Sequence, residues 1–236
     1  MAKSKWSRRT LKLKAHHPLA SYVKARLFQA IGDTDAALAL LGPALDPAQP
    51  DERVIDLLAE LQMKAGKLDE AERLYELARK DDPFHTKWIA GLARVHLRQE
   101  DEGKFLGDLV KLADNDADDL AVRQALAERL LKAGQADRAE KWATECLYIE
   151  VYDPANHVCL ADALAAQDKF AAAIEEYQTA LTLKPKKPND LKVRLARAQA
   201  GAGHPEEAQA TLEAVLKTDP DHPEAKALRE ELAKGR

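Results

Sequence analysis

The chain has 236 residues, 46% of them hydrophobic but only 5% aromatic, and a formal net charge of −4. That is apolar surface enough for one elongated domain, without the β-branched and aromatic richness of sheet proteins. It contains no run of about eighteen apolar residues, so no membrane span is expected, and its two cysteines, Cys146 and Cys159, read as buried reduced thiols rather than a disulfide framework.

The chain opens with a basic segment. Residues 1–17 carry six Lys or Arg and no acid, together with His16 and His17. Lys3, Lys5, Arg8 and Arg9 are not followed by an apolar stretch, so no signal peptide is expected. Trp6, Leu11 and Leu13 would let this segment touch nucleic acid or anionic lipid. The plainer expectation is a solubilising extension or linker. The rest of the chain stands near −10, which argues against nucleic-acid binding there, since phosphate neutralisation needs a contiguous basic stripe.

From residue 18 onward the sequence repeats. Alanine recurs at 25, 59, 93, 127, 161 and 196, a step of 34 residues that slips once to 35. Twelve residues past those alanines stand Ala37, Ala71, Phe105, Ala139, Ala173 and Ala208. Seven past them stand Gly32, Gly66, Glu100, Gly134, Asp168 and Gly203. A period of this length predicts a solenoid of small stacked units. In the clearest one, Glu52 to Pro83, a first helix carries Ile55, Leu58, Ala59 and Gln62 on one face. Gly66-Lys67-Leu68-Asp69 then breaks the run, and a second helix carries Ala71, Leu74, Tyr75 and Ala78. Pro83 closes the unit. Ala59 and Ala71 are expected where the two helix backbones approach.

An Ala or Gly at the eighth place, Gly in the turn, Ala at the twentieth and twenty-seventh and Pro at the thirty-second resembles the tetratricopeptide repeat. Six repeats are expected, at 18–51, 52–85, 86–119, 120–153, 154–188 and 189–222, followed by a polar-backed capping helix over 223–236. Asp221 or His222 would cap that helix and Pro223 would start it. The third repeat departs most from the pattern, with Phe105 and Leu112 at alanine places and Gly103 and Gly107 in or before its second helix. The fourth carries about three extra residues before Pro154. The resemblance implies an all-α, right-handed superhelical solenoid of antiparallel helix hairpins, a fold that serves many unrelated processes.

No pattern of residues carries chemistry. The seven histidines place no pair on one helix face with an intervening Glu, and there is no Cys-x-x-Cys or phosphate-loop glycine pattern. Glu175–Glu176 and Glu230–Glu231 read as solvated helix surfaces. His96 and His157 read as packing residues. The chain is therefore expected to be no enzyme, with no catalytic residue, cofactor or metal. A cytoplasmic location is expected, or export if the chain is part of a larger protein.

What the resemblance leaves is a groove. In this family the first helices line the concave face, and helical geometry points the second, fifth, ninth and twelfth places of each repeat there. The ninth places read Arg26, Glu60, Arg94, Glu128, Asp162 and Arg197, alternating in sign over the first four. The candidate site for a peptide or partner protein is Tyr22, Arg26, Arg53, Asp56, Glu60, Met63, Lys87, Arg94, Leu97, Glu128 and Leu131, with Met63, Leu97 and Leu131 as its apolar floor. It lies in the N-terminal half, because beyond Val158 the twelfth places shrink to Ala165 and Ala200. Arg26–Glu60 and Arg94–Glu128 would equally form an internal ladder of weak ion pairs. The two-carboxylate clamp by which some family members hold chaperone C-termini needs a set of Lys, Asn and Arg that no three consecutive repeats supply. Arg194 is an isolated match, so such tails are not an expected ligand. The leading reading is a non-catalytic interaction scaffold, with self-association through end repeats a further expectation. The alternative is an accessory repeat region of a larger, envelope-associated or exported enzyme, suggested by the strand-like Thr10–Lys14.

Overall fold

The computed structural model describes residues 17–80 and 82–234; the basic segment up to His16 lies outside the described residues. These form thirteen α-helices and a short 3-10 turn at Gly42–Ala44, with no strand among the described residues. They fall into two compact units, one ending at Asn115 and one beginning at Asp116.

The first unit holds α1 (Pro18–Ala30), α2 (Thr34–Leu41), α3 (Glu52–Lys64), α4 (Leu68–Arg79), α5 (Thr86–Arg98) and α6 (Glu102–Asn115). Its core runs from Ala25, Ala37 and Leu41 through Ile55, Leu58 and Leu61 to Tyr75, Trp88, Leu92 and Val95. The second unit holds α7 (Leu120–Lys132), α8 (Ala136–Ile149), α9 (Pro154–Ala165), α10 (Phe170–Thr182), α11 (Pro188–Gly201), α12 (Pro205–Thr218) and α13 (Pro223–Lys234). Within each unit, successive helices pair as hairpins, and each hairpin packs on the next.

The sequence signals act locally as expected. Ala59 and Ala71 are fully buried, as are Ala127 with Ala139, Ala161 with Ala173 and Ala196 with Ala208. A residue without a side chain beyond Cβ lets the paired helices approach. Several helix starts are fixed by carboxylate caps. Asp51 accepts from the Arg53 amide at 3.0 Å, and Asp119 from Val122 at 3.0 Å. Asp153 accepts from Ala155 at 2.9 Å, and Pro154 then supplies a first-turn residue that needs no N–H partner.

The turn column behaves as one structural set. Gly32, Gly66, Gly134 and Gly203 have φ of 81°, 77°, 72° and 82°. Glu100 and Asp168, which replace glycine, take the same left-handed backbone at 59° and 58°. The hairpin turn therefore dictates the conformation, and these two side chains bear its strain. Gly103 and Gly107 both lie inside α6. At the C-terminal end the cap of α13 is His222, whose Nδ1 accepts from the Ala225 amide at 3.4 Å while its Nε2 faces Asp190 at 3.1 Å. Asp221 instead accepts from Lys226 at 2.8 Å.

Candidate functional site

In the first unit the expected site residues lie on α1, α3 and α5, but many are already engaged. Arg53 turns back on Asp51, with Nε at 3.1 Å and Nη2 at 2.8 Å. Lys87 pairs with Asp56 at 2.9 Å and lies over the Trp88 ring. Arg26 donates to Gln29 at 2.9 Å rather than reaching Glu60, so that rung of the expected ladder is absent. Tyr22 is half-buried against the core. Glu60 is half-buried, and Arg94 and Leu97 are exposed.

Met63 corrects an expectation. It is only 8% exposed and belongs to the core, and its carbonyl accepts from Arg98 Nη1 at 3.0 Å. It cannot serve as an open floor. Helix phase alone placed it on the groove face; the neighbouring hairpin closes over it. Beneath these helices the buried Tyr75 hydroxyl has no hydrogen-bond partner. Burial pushes its pKa up to about 12, with Arg94 opposing and Asp56 and Glu60 adding to the rise.

The second unit contains a cavity of about 720 Å³ bounded by α7, α9, α11 and the Pro185–Lys187 loop. Glu128, Leu131 and Lys132 line it from α7, Ala155, Val158, Cys159 and Asp162 from α9, and Asp190, Leu191 and Arg194 from α11. Glu128 and Leu131 were expected on this face. The apolar lining continues on α9 through Val158 and Cys159, and on α11 it reaches Leu191, itself only 4% exposed. The twelfth places Ala165 and Ala200 do not line it; Ala155 and Val158 do so from second and fifth places, and Cys159 and Arg194 from sixth places that helix phase did not point here.

Most of the cavity's carboxylates are bound within the fold. Asp162 accepts from the Tyr177 hydroxyl at 2.6 Å and from Arg194. Its pKa is raised by burial, against the lowering effects of Tyr177 and Arg194. Asp153 caps α9, and Asp190 receives His222 and lies 3.7 Å from Lys187. Lys132 and Lys186, at the rim, are exposed. Arg194, the one residue matching the chaperone-tail clamp, is committed to Asp162. Burial pushes the Cys159 thiol up to about 12 and the Cys146 thiol to about 11, so neither is a ready nucleophile. Both are free thiols.

Two buried histidines tie neighbouring helices together. His96 sets Nδ1 2.7 Å from Asp108 and Nε2 3.3 Å from Glu72. His157 sets Nδ1 2.6 Å from Glu176 and Nε2 2.8 Å from the Val151 carbonyl. These are packing contacts between α4, α5 and α6 in one unit and between α9 and α10 in the other. Among the described residues no cluster of three His, Cys, Asp or Glu side chains is placed to hold a metal. No helix among them is long and apolar enough to cross a membrane.

Tetratricopeptide repeat models match residues 57–121 and 164–232, together more than half of the chain. No curated protein matches it. Of solved structures, the tetratricopeptide repeat protein YrrB aligns with a TM-score of 0.64 at 17% identity, over 76% of this chain and 92% of that one. A tetratricopeptide repeat protein from Parabacteroides merdae gives 0.57 at 18% identity, over 92% of this chain and 87% of that one. MamA from Desulfovibrio magneticus gives 0.58 at 13% identity, over 72% of this chain and 96% of that one. At these identities the structural likeness speaks for the fold. The repeated alanine and turn columns, the hairpins they build and the two family matches agree: the chain belongs to the tetratricopeptide repeat family, whose hairpin stacks are scaffolds for protein–protein interaction.

Proposed function

We propose that the chain is a non-catalytic interaction scaffold that holds a peptide segment of a partner protein on its first-helix faces. The observation that carries this reading is the cavity on α7, α9 and α11. It joins an apolar floor of Leu131 and Val158 to a rim of charges, the combination that anchors one side chain and orients a backbone. Three of the four cavity carboxylates are occupied by the fold, whereas Lys132 and Lys186 face solvent. A peptide with an apolar residue beside a carboxylate fits that balance, and rim charges of this kind make association salt-sensitive. YrrB, similar in fold, is described as having an unusual peptide-binding site.

The corresponding places in the first unit, Tyr22, Arg26, Asp56, Glu60, Lys87, Arg94 and Leu97, offer a second face of the same kind. Arg53 and Met63 contribute less to it, being engaged with Asp51 and the core respectively. The test is affinity capture with the Leu131→Glu, Val158→Glu double variant. Both positions are only half-buried, so the helical circular-dichroism signal should stay while partner capture falls by an order of magnitude or more. Undiminished capture by the folded double variant would contradict the reading.

A further inference from the structure

The first helix presents an apolar stripe to solvent. Leu19, Val23, Leu27 and Ile31 recur at every fourth position along α1 and its C-cap, and they are 43%, 51%, 66% and 76% exposed. Residues four apart share a helix face, and Ala20 and Ala30, also exposed, lie beside them. Single exposed leucines need no explanation, but a contiguous strip of four marks a contact surface.

Repeat register shows what kind of element covers such a strip. Val23 and Leu27 occupy the sixth and tenth places of their hairpin. In the next two hairpins those places are Leu57 with Leu61 and Gly91 with Val95, and all four are buried. In the third hairpin the cover comes from the second helix of the hairpin before, where Gly91 of α5 lies directly under the Tyr75 ring of α4. The sixth and tenth places are thus a helix-docking surface wherever they are covered. The outer places of α1 differ from its siblings. The fourteenth place holds Gln99 and Gln167 in two later repeats, amides that donate to Glu72 and Glu140 of the covering helices; here it holds Ile31. The second place holds Arg53 and Lys87 in the next two repeats and Leu19 here. The strip on α1 is therefore apolar over its full length, beyond what hairpin stacking uses in the second and third repeats.

Charge restricts the occupant further. The only charged residues of α1 are Lys24 and Arg26, and helical geometry sets them on opposite borders of the strip. Both are exposed. Pairing two copies of α1 would bring like charges together along both borders, which disfavours that arrangement. We infer that α1 docks an amphipathic helix of a partner protein whose apolar stripe is bordered by carboxylates. Leu27 and Ile31 stand at places outside the peptide face proposed above, whereas Leu19 and Arg26 border on it.

The test uses the full chain and two labelled synthetic amphipathic helices with leucine at every fourth position, one bordered by glutamates and one by lysines. Fluorescence anisotropy should show binding of the glutamate helix and binding of the lysine helix weaker by about tenfold or more. The Val23→Glu, Leu27→Glu variant, altered only at exposed positions, should keep its helical signal and lose that binding. Equal binding of the two helices, no binding of either, or binding retained by the double variant would each overturn the inference. So would a dimer that this variant disperses, which would make the occupant a second copy. Binding that emerges only after removal of residues 1–16 would make it the chain's own leader, with the same consequence.

Discussion

Gln99, just past the end of α5, donates its side-chain amide to Glu72 of α4 at 3.0 Å, joining the third repeat to the second. Gln167 does the same to Glu140 of α8 at 2.7 Å, joining the fifth to the fourth. In both cases a lysine two or five residues further on completes the contact, Lys169 at 2.7 Å and Lys104 at 2.8 Å. Stacking of hairpins in this chain is thus fastened by a recurring polar clasp beside the apolar contact. No residue of that clasp belongs to the columns that define the repeat.

The clasp should make stability sensitive to acid. Lys104, then Gln99 and His96, hold the Glu72 carboxyl down at about 2 against an ordinary 4.5. A depressed carboxyl contributes its stabilisation above its unfolded value, and loses it as pH falls through the folded one. The contribution of Glu72 is therefore fully present above pH 4.5 and disappears between there and about pH 2. Urea unfolding across that window should show a shallower loss of stability for Glu72→Gln than for the parent. Parallel pH curves for the two proteins would refute the assignment.

Two helical glycines should respond oppositely to alanine. Gly107 lies inside α6, and no heavy atom stands within 4 Å of where a Cβ would be, so Gly107→Ala should stabilise by about 1 kcal/mol. At Gly91 the same atom would lie 2.6 to 2.7 Å from the Tyr75 ring. Tyr75 is fully buried and cannot swing aside, so Gly91→Ala should cost about 1–3 kcal/mol. Chemical denaturation of both variants checks the pair, and a gain at Gly91 would show that α4 and α5 pack less closely than that contact requires.

The turn column yields a third expectation. Glu100 and Asp168 hold φ near 60° without being glycine. Relieving that strain should outweigh the added freedom of the unfolded chain, so Glu100→Gly should stabilise by about 0.5–1 kcal/mol. Asp168→Gly should gain less, because a short polar side chain tolerates the left-handed region better. Thermal melts of the single variants measure both, and a loss at Glu100 would mean its side chain makes a contact that outweighs the backbone strain.

The repeat columns make the architecture legible from sequence alone. Alanine at contact places and glycine in turns report backbone proximity and φ, which depend on local geometry and recur with the period. The candidate site is legible only in part, because exposure depends on what the neighbouring hairpin covers. Met63 and Leu131 share the twelfth place, yet one is core and the other lines a cavity. Asp162, Arg194 and Tyr177 come together from three helices, and nothing in their spacing announces it. The Leu19–Ile31 strip, by contrast, is a plain i, i+4 run. Its middle places do not single it out, because the same places in the next two repeats are buried stacking surface.

The central claim is that a partner peptide lies on the first-helix face, and site-specific photo-crosslinking tests it most directly. A photoreactive side chain at the exposed Ala155, within the cavity, should trap the partner, and the trapping should fall when Val158→Glu is added. The same probe at the exposed second-helix positions Arg73 and Arg138 should trap little of it. Partner trapped from Arg73 or Arg138 and not from Ala155 would contradict the account.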